Sequence, residues 1–154
     1  MIYKAPFYAM QKAVYAALSQ SSIDLQWYDS AVPIEEIAEL HKNQAEFAYG
    51  IMGTQDADCD TNKDTAFWNA SIRLDVYSNY KGKKVVTKTL EALLNYFCSE
   101  GYYNLQEVFA GEGFALTSLS IGSLVVNAPM YSDIGVWQSG GTRLTFKLTQ
   151  MKEE

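Results

Sequence analysis

Residues 66–97 read AFWNASIRLDVYSNYKGKKVVTKTLEALLNYF, and their rhythm changes once along the way. The first half alternates, with Trp68, Ala70, Ile72, Leu74 and Val76 on one side and Asn69, Ser71, Arg73, Asp75 and Tyr77 on the other. A period of two belongs to a strand with one buried face. After a break at Ser78 to Gly82, the residues Val86, Leu90, Leu93, Leu94 and Phe97 recur at helical spacing and form a single stripe. The sequence therefore predicts a strand feeding a helix that lies back across the strand's apolar face. Each large side chain fully buried there contributes roughly 1.5–3 kcal/mol, which makes this unit the expected nucleus of the core.

Upstream, KAPFYAMQKAVYAALSQ carries Pro6 where a first helical turn accepts it, followed by a stripe of Phe7, Met10, Val14, Ala17 and Leu18. A helix of about four turns is expected, ending in the turn-forming residues Ser19 to Ser22. Ile23 to Tyr28 alternates weakly and reads as a short strand. The segment IEEIAELHK reads as a short extra helix, with Glu35 and Glu36 in the first turn where the helix dipole favours them. Phe47, Tyr49 and Ile51 then alternate as a second strand. Next comes QDADCDTNKD, expected to be an acidic loop between two strands. Its D-x-D-x-D text resembles the start of a calcium loop. Thr61, however, stands at the sixth position, where the sharp turn needs Gly, and Phe67 at the twelfth, where a bidentate Glu is needed.

Downstream, SEGYY reads as a turn, and LQEVF and FALTSLSIGSLVVNA as two antiparallel strands around Gly111 and Gly113. Residues 128–141 read as a long connection exposing Tyr131 and Trp137. TRLTFKLTQ alternates Leu144, Phe146 and Leu148 against polar neighbours and closes the sheet. The expected fold is a single α+β domain over 1–154, a mainly antiparallel sheet with two principal helices packed on one face plus the short extra helix.

With 154 residues, 48% hydrophobic and 14% aromatic, the chain is expected to fold once as one domain. No apolar run reaches the length of a bilayer span and no signal-peptide pattern opens the sequence, so no membrane partner and a cytoplasmic compartment are expected. A net charge of −6 argues against gripping nucleic acid along its phosphates. Catalytic text is missing as well. His41 is the only histidine, Cys59 and Cys98 lack metal or redox spacing, and no phosphate-binding or nucleophile motif occurs, so neither a catalytic residue nor a metal or other cofactor is expected.

Four texts carry a resemblance: FYAMQKAVYAALSQ (7–20), FAYGIMGTQDADCDTNKDT (47–65), FWNASIRLDVYSNYKGKKVVTKTLEALLNYF (67–97) and DIGVWQSGGTRLTFKLTQ (133–150). In this order they resemble the tail-completion or tail-terminator proteins of long-tailed bacteriophages and prophages, with IEEIAELHKNQ departing from the pattern. The resemblance implies a non-catalytic subunit that forms a ring with copies of itself, six-fold in better-known relatives, at the head-proximal end of the tail tube. There it ends tail polymerisation and joins tail to head. The implied partners are the major tail tube protein and a head-completion protein, with DNA passing through unheld. The implied locations are the host cytoplasm during assembly and then the virion tail. Independently, Asp56, Asp58, Asp60 and Asp64 set against Lys81, Lys83, Lys84 and Lys88 suggest two complementary patches for a head-to-tail contact, with Tyr131 and Trp137 as apolar support. The alternatives are a small α+β binding module with an aromatic patch at Tyr131 and Trp137, or a small enzyme without familiar motifs.

Overall fold

The computed structural model describes residues 2–29, 34–40, 42, 46–62, 65–132 and 135–151. At its centre two long strands pair antiparallel, β3 (Thr65–Ser78) and β7 (Gly135–Gln150). Their register sets Trp68 opposite Leu148, Ala70 opposite Phe146 and Ile72 opposite Leu144, so the apolar alternations of the two strands fall on one face. β2 (Ala48–Asn62) pairs antiparallel with the other edge of β3, and β1 (Gln26–Asp29) runs parallel to β2 at the sheet's margin. Beyond β7 lie β4 (Phe114–Ile121) and two short strands, β5 (Val125–Val126) and β6 (Met130–Ser132).

Three helices cover the apolar face: α1 (Phe7–Gln20), α3 (Lys84–Phe97) and α4 (Glu100–Gly111). The core joins Met10, Val14 and Leu18 of α1 and Val86, Leu90, Leu93 and Phe97 of α3 to Ile72, Leu74 and Val76 of β3 and Phe146 of β7. The strand-to-helix unit at 66–97 packs as the sequence predicts. Phe7 of the expected stripe is instead exposed, at the first position of α1. Tyr96 ties the layer together, its hydroxyl donating to the Ala17 carbonyl of α1 and accepting from Asn104 Nδ2 of α4 at 2.9 Å.

Three expectations are corrected. LQEVF is part of α4 rather than a strand: Gly101, Leu105 and Phe109 recur every four residues on its buried side, and Phe109 meets Phe146 edge-on at 5.3 Å between ring centroids. The acidic text from Asp56 to Asp60 is ladder rather than loop, with Asp56 opposite Ser71, Asp58 opposite Asn69 and Asp60 opposite Phe67. Backbone pairing along a hairpin decides there, since a polar side chain on a solvent-facing strand loses nothing by being acidic. Residues 128–141 are not a connection either, because β6 and the first half of β7 form a hairpin in that region.

Trp137, expected to be exposed, is 4% exposed. It packs with Ile37 of α2 (Ile34–Leu40), Phe47 and Tyr49 in a second cluster. Ile51, Tyr49 and Tyr77 belong to the strand positions opposite the main helices, so α2 covers one end of the sheet's second face. The remainder of that face is open.

Candidate interaction surfaces

The open face carries a charge-balanced network. Ser71 Oγ donates to Asp56 Oδ1 at 2.7 Å, while Arg143 Nη1 donates to Ser71 Oγ at 2.9 Å and to Asp56 Oδ2 at 3.2 Å. Arg73 stands directly opposite Arg143 in the ladder, an arrangement unfavourable for like charges. Each guanidinium is held by a different carboxylate, Arg73 Nε donating to Asp75 Oδ1 at 2.9 Å. Toward α2 the face becomes aromatic, with Tyr49 and Tyr77 stacked at 5.3 Å between ring centroids. Burial pushes the Tyr49 phenol well above its ordinary pKa, helped by the neighbouring Tyr77, and burial raises Tyr77 as well.

The two charge clusters occupy opposite ends of the sheet. Asp58 and Asp60 lie exposed near the β2–β3 turn, and Asp64 falls outside the described residues. Lys81, Lys83, Lys84 and Lys88 are exposed where β3 has ended and α3 begins. The strand from Phe67, opposite Asp60, to Ser78 spans roughly 35 Å at ~3.3 Å per residue, so the clusters cannot neutralise each other within one subunit. Among the described residues, these four lysines form no ion pair, and neither do Asp58 and Asp60. Lys147 shares the face of Asp58 but lies two strands away, roughly 10 Å in backbone spacing.

Each end also exposes apolar surface. Beside the lysines, every residue from 122 to 131 is exposed, in the uncharged text GSLVVNAPMY. Tyr131 is 81% exposed at its far end. A Cβ added at Gly140 would sit 2.6 Å from the Val125 carbonyl oxygen and 2.8 Å from Val86 Cγ1, which places this segment against the first turn of α3. At the acidic end, Gln150 binds residues 2–4, accepting from the Lys4 amide at 2.9 Å and donating to the Ile2 carbonyl. Ile2, Tyr3, Phe7 and Tyr8 are exposed there. The missed signal was the lack of charge across 122–131, where apolar residues were expected to be strand interior.

A cleft of about 710 Å³ between the end of α1, β1 and α3 is lined by Ser19, Ser21, Asp24, Gln26, Glu46 and Thr89 among others, with no His, Cys or Lys among its described lining residues. The Ser21 hydroxyl is committed to the Leu18 carbonyl at 2.7 Å. Among the described residues no cluster of His, Cys, Asp and Glu is arranged to hold a metal ion, and no helix is long and apolar enough to cross a membrane. His41 lies outside the described residues.

No family model matches the chain, and no curated protein matches it. Among solved structures, a chain of the "Virion of native gene transfer agent (GTA) particle" is similar, with a TM-score of 0.50 at 15% identity. The likeness is of fold. It covers 96% of this chain and 99% of that one, so the whole arrangement of sheet and helices is shared rather than one motif.

Proposed function

We propose that this chain is a non-catalytic structural subunit of a phage-type particle. It forms a ring at the head-proximal end of a tail tube, ends tail polymerisation there and joins tail to head. The observation that carries the reading is the end-to-end fold likeness to a chain of a gene transfer agent virion. The separation of unlike patches supports it: a subunit with complementary ends builds head-to-tail contacts, which close into a ring when the rotation permits. In this reading Asp58 and Asp60 of one copy face Lys81, Lys83, Lys84 and Lys88 of the next. Asp56 plays a smaller part, because Arg143 and Ser71 already hold it. Tyr131 keeps its place in the contact and Trp137, buried in the second cluster, leaves it.

The tail tube protein and a head-completion protein are the flanking partners, and DNA passes through without being held, in keeping with the net charge of −6. Assembly takes place in the host cytoplasm and the finished subunit resides in the virion tail. The test is co-expression with a phage-type tail tube protein, followed by electron microscopy with a gold label on this chain. Label at one end of tubes of uniform length is the expected result. Label along the tube, or tubes whose length and ends ignore this protein, would overturn the proposal.

A further inference from the structure

The segment at residues 122–131 runs along the outer edge of β7, paired with it through Val125, Val126, Met130 and Tyr131, and leaves its apolar side chains in solvent. Leu124, Val125, Val126, Met130 and Tyr131 are each between 38% and 81% exposed, and Val136 beside them is 41% exposed. Taking ~150–220 Å² as the full surface of a large apolar side chain, they offer roughly 500 Å² of exposed apolar surface in all. At the opposite end Ile2, Tyr3, Phe7 and Tyr8 are 40–81% exposed and offer a patch of roughly the same size. The two patches are thus matched in area and in character, and they lie at the two ends of the same sheet.

Charge decides what covers them. The segment at 122–131 is flanked by the lysines at the start of α3, and the N-terminal patch stands at the end of the sheet where Asp58 and Asp60 sit. Two segments packed against each other across a two-fold axis would bring lysines against lysines. A segment packed on the next copy's N-terminal patch brings lysines toward aspartates instead. A stable interface buries about 800 Å² per partner, so the apolar patches supply over half of that area and the flanking polar residues the remainder.

We propose that residues 122–131 form a strap that seats on Tyr3, Phe7 and Tyr8 of the neighbouring copy, a contact that rests on the ring reading above and assigns its apolar centre. Tyr131 is the anchor, being an aromatic side chain with the most surface still to bury. The charged groups fix which way round the copies meet, since exposed pairs are screened by salt and contribute little to affinity.

The experiment is disulfide trapping in the full chain, with Cys59 and Cys98, both exposed, replaced by Ser. Tyr131→Cys and Tyr8→Cys are introduced together and oxidised at a concentration where native mass spectrometry reports oligomer. A ladder of covalently linked copies, absent from either single variant, is expected. An oligomer without a ladder would overturn the strap and leave the ring standing. Linked dimers from Tyr131→Cys alone would mean a two-fold contact and overturn the strap as well. A chain that stays monomeric both free and on tail tubes would overturn ring and strap together. As a second readout, Tyr131→Asp is expected to raise the concentration for half-assembly at least about tenfold with an unchanged melting temperature; unchanged assembly would overturn the anchor.

Discussion

The two faces of the β3–β7 pair are cut from the same strands but held by different physics. On the helix side Ala70, Ile72, Leu74, Leu144 and Phe146 form an unbroken apolar layer with almost no exposure. On the other side stand Ser71, Arg73, Asp75 and Arg143, a balanced polar network that gives way to stacked aromatics near α2. Side-chain volume decides stability on the first face, and partner geometry decides it on the second.

Leu90→Ala removes a side chain that is 2% exposed between α3 and the sheet, and should cost about 2–5 kcal/mol in urea unfolding. A midpoint unmoved by that change would refute the packing. Gly50→Ala is next. Its Cβ would meet the Trp27 ring at 2.3 Å, so the strand pair must shift, with an expected cost of about 1–3 kcal/mol and a correspondingly lower Tm. On the polar face the Asp56–Arg143 pair is far weaker. The two side chains are 66% and 34% exposed, so a double-mutant cycle with Asp56→Ala and Arg143→Ala should give a coupling of about 0.2–1 kcal/mol that fades in salt.

The smallest effect at neutral pH belongs to Tyr49. Its folded pKa lies above the ordinary value of about 10, so the folded state keeps the proton that the unfolded chain has lost. Stability is therefore fully present below pH ~10 and falls as pH rises past it. Tyr49→Phe should flatten that alkaline limb in pH-dependent unfolding. A limb of unchanged slope would show that burial of Tyr49 is not its source.

The same contrast explains what the sequence made legible. Alternation marks a strand only where one face is wet, so β3 and the second half of β7 were readable. From residue 137 to 142, β7 is buried on both sides, and WQSGGT has no period of two to read. Gly140 and Gly141 sit there because other groups come too close for a Cβ, the Val125 oxygen on one and Asp75 on the other. Trp137 therefore reads in the sequence as an exposed aromatic, although the cluster that buries it is assembled from α2, β2 and β7, far apart in the chain. The same blind spot hid α4, whose tyrosines and valine favour strands locally while its four-residue spacing served the core. The charge clusters were visible as composition. Their placement at opposite ends of one strand was not, because that follows from where Asp60 and Ser78 fall in the ladder.

The register between β3 and β7 also fixes an order in time. Ile72 pairs with Leu144 and Trp68 with Leu148, partners more than 70 residues apart, whereas β2 and β3 pair close in sequence, down to Asn62 with Thr65. Local hairpins form in roughly microseconds and long closures far more slowly, so β2–β3 and the α3–α4 pair are expected to assemble first. Until β7 arrives, β3 presents a bare hydrogen-bonding edge beside Ile72, Leu74 and Val76, the kind of surface that recruits strands from other molecules. The strand that completes the middle of this sheet follows every other strand in the chain, so an emerging chain keeps that edge of β3 uncovered until β7 joins it.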